Sequence, residues 1–174
     1  MRKTFQVLSL LALTAVTFSA QAAPPEEWVI IEGHGLTDNA VYLGQPRNQL
    51  IQRSKSCEKP ATECTFRIEP SAQDITVFFN AKNKVNRIRF AAQFNQNNCR
   101  FEPFPFNWPT ARGVRYYDRF FSVQAAYPDN TLQCGGGVCL VDAPKDGLRF
   151  EDRHHFEDCF EAYNGTIEVI PKQP

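Results

Sequence analysis

The chain holds one methionine, its initiator, and three histidines among 174 residues. So few histidines leave little material for imidazole-based acid–base chemistry. No Gly-x-Ser-x-Gly elbow, phosphate-binding glycine loop or Cys-x-x-Cys motif occurs anywhere. Neither sign of charge is in excess, with 19 Lys and Arg against 19 Asp and Glu. A nucleic-acid binder carries a clustered basic patch, and none is visible. Beyond Phe18 no apolar run is long enough to cross a bilayer as a helix.

What is present begins with an export signal. Arg2 and Lys3 precede an apolar run from Val7 to Phe18, and Ala20-Gln21-Ala22 supplies small residues for cleavage. This is the pattern of a secretory signal peptide over residues 1–22, cut after Ala22 or Ala23. No cysteine lies near the cut, so no lipid acceptor and no membrane anchor are expected. The expected location is periplasmic or secreted. The signal takes two basic residues and no acidic one, leaving the remainder at about −2. That remainder has the length of one domain or two small ones.

Six cysteines, Cys57, Cys64, Cys99, Cys134, Cys139 and Cys159, all lie after the signal. An even count in an exported chain reads as disulfides, although six cysteines allow about 15 pairings. A weak internal repeat narrows the choice. Residues 41–90 and 114–170 share one layout: a short helical pattern, Cys-loop-Cys, a strand near the second cysteine, a turn and two more strand patterns. Equivalent slots pair Cys57 with Cys64 and Cys134 with Cys139, leaving Cys99 with Cys159.

The helical patterns start near Pro46, with Leu43, Leu50 and Ile51, and after Asp118 as N-cap, with Phe120, Phe121, Val123 and Ala125. Pro128 ends the second. Alternation predicts strands at Phe66–Ile68, Ile75–Phe79, Ile88–Phe94, Leu148–Phe150 and Ile167–Val169, with a further one at Trp28–Ile31. Asn164-Gly165 reads as a hairpin turn, and Asn164-Gly165-Thr166 also matches a glycosylation acceptor. The expected fold class is α+β: two tandem modules, residues 23–100 and 114–174, each with short helices packed on one face of an antiparallel sheet. The Pro- and Phe-rich stretch 101–113 joins them as an extended connector.

A sheet packed on one face leaves the other wet. Arg67, Phe78, Arg87, Arg89, Gln93 and Arg149 fall on the wet face, and Trp108 and Tyr116 add aromatic residues from the connector side. Arginine and aromatics are what protein interfaces enrich, so these eight form the expected binding set. Changing Arg87 and Arg89 to Glu is expected to abolish capture without loss of thermal stability. The rival site is the polar stretch His154, His155 and Glu157, which could hold a metal or support hydrolysis. No cofactor and no catalytic residue is expected.

The segments VYLGQPRNQLIQR before ITVFFNAKNKVNRIRF, and FFSVQAAYPDN before GLRF and GTIEVI, resemble the family of the secreted β-lactamase inhibitor protein and the small outer-membrane assembly lipoproteins of the BamE/SmpA type. The resemblance implies tandem modules, a small disulfide between helix and strand in each, and a concave sheet that grips an enzyme. The expected function is therefore that of an exported, non-catalytic protein binder, an inhibitor or immunity protein whose partner is a hydrolytic enzyme or a toxin. An envelope-assembly scaffold is the alternative.

Overall fold

The computed structural model describes residues 28–52, 54–58, 61–68, 73–91, 94–95, 100–101, 108–135, 138–152 and 164–174. The centre of the molecule is one seven-stranded antiparallel sheet. Its strands are β3 (Glu63–Ile68), β4 (Gln73–Phe79), β5 (Val85–Ala91), β8 (Leu132–Gly135), β9 (Val138–Ala143), β10 (Leu148–Glu151) and β11 (Thr166–Val169). The order across the sheet is β3-β4-β5-β11-β10-β9-β8. Two small ribbons flank it: β1 (Ile30–Ile31) with β2 (Gly35–Leu36), and β6 (Phe94–Asn95) with β7 (Arg100–Phe101).

This corrects the expected α+β class: the protein is mainly β. Among the described residues it has two α-helices, α1 (Arg47–Ile51) and α2 (Phe120–Ala126), of five and seven residues. Helices so short offer too little apolar surface to roof a seven-stranded sheet. The two halves also do not carry separate sheets. Each supplies a meander, β3-β4-β5 or β8-β9-β10-β11, and the last strands pair edge to edge, with Ile88 opposite Val169 and Phe90 opposite Ile167. Fusing the meanders satisfies two edges that would otherwise expose unpaired backbone groups.

One face of the sheet forms the core. Ile75, Val77, Ile88, Phe90, Val141, Leu148, Phe150, Ile167 and Val169 are buried there, at alternate positions along their strands. The cover combines the β1–β2 ribbon and the two short helices with irregular chain. Ile30, Leu36, Val41 and Leu50 arrive from the first segment, and Trp108, Val114, Tyr116, Phe120, Val123 and Tyr127 from the second. Trp108 meets Phe90 edge-on at 6.1 Å between ring centres, and Tyr127 tilts against Phe150 at 5.1 Å. Aromatics span the gap that longer helices would otherwise fill. Tight backbone approach helps: a Cβ on Gly35, at φ 145°, would lie 2.2 Å from the Val41 carbonyl oxygen.

Local boundaries follow the chemistry closely. Pro46 precedes α1 with extended backbone instead of opening it. Arg119, not Asp118, takes the N-cap position of α2, because the Asp118 carboxylate accepts the Arg115 N–H at 2.7 Å. Asn164-Gly165 does not close a tight hairpin, since Thr166 is flanked by Glu151 on one side and Ala91 on the other. Asn164 is fully buried and donates its amide to the Arg115 carbonyl at 3.0 Å, which leaves it no room for a glycan.

Two disulfides form as the repeat predicts. Cys57–Cys64 ties the one-turn 3-10 helix Lys55–Cys57 to β3, and Cys134–Cys139 ties β8 to β9. They fit an oxidising compartment. Cys99 and Cys159 lie outside the described residues, as do Gln93, His154, His155 and Glu157. Among the described residues no helix is long and apolar enough to cross a membrane.

Candidate binding face

The opposite face of the sheet carries a polar row that crosses six strands. Register places Thr65, Thr76, Arg89, Glu168, Arg149 and Asp142 side by side. The row alternates in charge after its two threonines, which share a hydrogen bond at 3.1 Å. Opposite charges directly across a strand pair stabilise it, and like charges oppose it. Arg89 donates its Nε–H to Glu168 Oε1 at 2.5 Å. Arg87 approaches the other carboxylate oxygen of Glu168 at 3.7 Å. Arg149 makes a two-point contact with Asp142, at 2.9 and 3.4 Å. The Asp142 hydrogen bond holds the Arg149 guanidinium above its usual pKa. Burial opposes this shift, and the carboxylates of Asp142, Glu168 and Glu151 reinforce it.

Glu168 is the electrostatic centre of this face. It is 1% exposed, although it points away from the apolar core. A carboxylate so deeply placed requires paired cations, and Arg87 and Arg89 supply them. Beside it Phe78 lies half-buried under the arginines. The Arg87 guanidinium sits 3.7 Å above its ring centre and that of Arg89 5.2 Å away. These stacks hold Phe78 and Arg87 in fixed positions at the surface.

The expected binding set divides. Phe78, Arg87, Arg89 and Arg149 are brought together on this face. Arg67 stands opposite Asp74 in the β3–β4 register, and its side chain lies outside the described residues. Trp108 and Tyr116 leave the set, because they are 5% and 1% exposed and belong to the core. Apolar area of that size is worth more under the sheet than in water. The expectation that Arg87 and Arg89 can be reversed without loss of stability is also corrected, because Arg89 neutralises a buried carboxylate.

Sequence reasoning missed Glu168, Asp142 and Thr65. Alternation with Ile167 and Val169 put Glu168 on the wet face. Nothing local announced that Arg89, 79 positions earlier, would stand beside it. His34 sits in the β1–β2 turn, 3.0 Å from the Asn39 side-chain oxygen and stacked on Tyr42. Among the described residues no group of three His, Cys, Asp or Glu gathers as a metal site. Comparisons with protein-family models, curated proteins and solved structures return no match.

Proposed function

We propose that the protein is an exported binding protein which captures a protein partner on the polar sheet face, at Phe78 and Arg87. The concrete version is inhibition of, or immunity to, a periplasmic or secreted hydrolase or toxin. The observation that carries this reading is the Phe78–Arg87 stack beside the buried Glu168. An aromatic ring and a planar guanidinium, held rigid on a sheet, lose little freedom on binding. Arginine and aromatics also dominate the energetics of protein interfaces.

The face recognises through shape and hydrogen bonds more than through net charge, because each of its arginines contacts a carboxylate, Arg87 and Arg89 sharing Glu168. Binding should therefore depend weakly on salt. The experiment is capture from envelope and culture-supernatant extracts with immobilised protein, partners identified by mass spectrometry and then assayed for hydrolytic activity. Phe78→Ala and Arg87→Ala should each release the partner with the fold intact. Capture of the same partner by both variants would overturn the reading.

A further inference from the structure

A second surface lies at the β4–β5 turn, on the side to which Phe79 points. It is a groove of about 420 Å³. Arg47, Asn48 and Ile51 form one wall, and Lys82, Asn83 and Lys84 the other. We propose that this groove docks an acidic peptide segment of a protein partner, independently of the polar sheet face.

Charge separates the two surfaces. On the polar sheet face Arg87 and Arg89 share the Glu168 carboxylate, and Arg149 pairs with Asp142. Among the described residues Lys82 and Lys84 have no ion pair, and Glu58 is the one carboxylate that lines the groove. The groove is thus a net cationic concavity on a chain with no overall surplus of positive charge. Such a concavity attracts acidic groups and speeds their arrival.

The walls are built in place. The Asn80 side-chain oxygen accepts the Lys82 and Lys84 N–H groups at 2.9 and 3.1 Å. Asn83 adopts φ 54°, which asparagine tolerates, and its carbonyl takes the Arg47 N–H at 3.0 Å. That bond ties the turn to α1. The Arg47 guanidinium lies 4.0 Å above the Phe79 ring and bonds the Ala61 carbonyl.

The lining favours a peptide over other anions. Ile51 and Pro46 give apolar contact, and the Asn48 and Asn83 amides can bond a peptide backbone. The volume exceeds what a lone oxyanion fills. A nucleic-acid strand would call for exposed aromatics to stack on, and none is among the described lining residues.

The test measures fluorescence anisotropy with a labelled ten-residue peptide of alternating Glu and Leu at low salt. A Lys–Leu peptide, inorganic phosphate and an oligothymidylate of equal charge are the comparators. The acidic peptide should bind, weaken about tenfold in Lys82→Glu/Lys84→Glu, and bind Phe78→Ala as well as it binds the parent protein. Both lysines are exposed, so an unchanged thermal melt of the double variant confirms that it folds. The proposal is overturned by no binding, by binding indifferent to the lysine changes, by full competition from phosphate at equal concentration, or by tighter binding of the oligothymidylate. Because Phe78→Ala leaves this site intact, failure of the polar sheet face and failure of the groove give different results.

Discussion

Arg89 and Glu168 face each other across the strand pair β5–β11 that joins the two halves of the sheet, with Nε and Oε1 2.5 Å apart. The pair has a structural and a surface role at once. It neutralises a carboxylate that is almost fully buried, and it fixes the guanidinium beside Phe78.

Removing one partner of that pair should cost more than removing an ordinary surface charge. Arg89→Glu sets two carboxylates against each other and should lower stability by about 3 kcal/mol. Glu168→Gln keeps a hydrogen-bond acceptor and should cost about 1–2 kcal/mol. Urea unfolding of both variants checks the order. Equal stability of Arg89→Glu and the parent protein would contradict the assigned role of Glu168.

Cys57–Cys64 does more than close a short loop. The Ser56 hydroxyl, one residue before Cys57, donates to the Thr65 carbonyl at 2.5 Å and so covers the outer edge of β3. Replacing both cysteines with serine should cost about 2–2.5 kcal/mol from loop entropy. It should also raise hydrogen exchange along β3 and β4. Cys134–Cys139 lies at the opposite edge, so its removal should leave exchange at β3 unchanged.

Tyr127 carries a pH prediction. Burial holds its hydroxyl protonated above the ordinary tyrosine pKa of 10.0; a hydrogen bond from Thr110 opposes the shift and Glu32 adds to it. The hydroxyl lies 2.9 Å from Glu32 Oε1 and 3.0 Å from Thr110 Oγ1, under the Arg112 guanidinium. An unfolded chain releases this proton first as pH rises. The resulting stability is therefore complete below about pH 10 and declines as pH climbs through the folded value. Tyr127→Phe should cost about 1 kcal/mol at neutral pH and flatten the alkaline loss. Melting curves from pH 7 to 11 on both proteins measure it.

Trp108 distinguishes core from interface. Its ring is buried against Trp28 and Phe90, with ring centres 5.3 and 6.1 Å away. Trp108→Ala should cost about 3–5 kcal/mol, whereas Phe78→Ala should cost less than about 1.5. The comparison of denaturation midpoints decides whether Trp108 is a packing residue.

The strand positions were legible because alternation needs only neighbours along the chain. Ile75, Val77 and Phe79 had to share a face whatever lay above them. The two short disulfides were legible for a related reason, since each pair lies only a few residues apart in equivalent slots. β8 escaped notice because Leu132-Gln133-Cys134-Gly135 is short and mostly exposed, so it offers no periodicity. The helices were placed nearly correctly, but their weight in the fold was overestimated, because a local helical spacing says nothing about how much of a sheet it covers.

By itself the sequence determined where the strands of the sheet's apolar face run, where two covalent clips close, and that one sheet face would be apolar and the other polar. Tertiary structure alone decided that the two meanders share a single sheet, that Trp108 and Tyr116 lie inside, and that Glu168 neutralises arginines drawn from β5. The physical reason is distance along the chain. Alternation and short loops are encoded by adjacent residues. The β5–β11 register couples residues 79 positions apart, through backbone pairing and charge that no local pattern records.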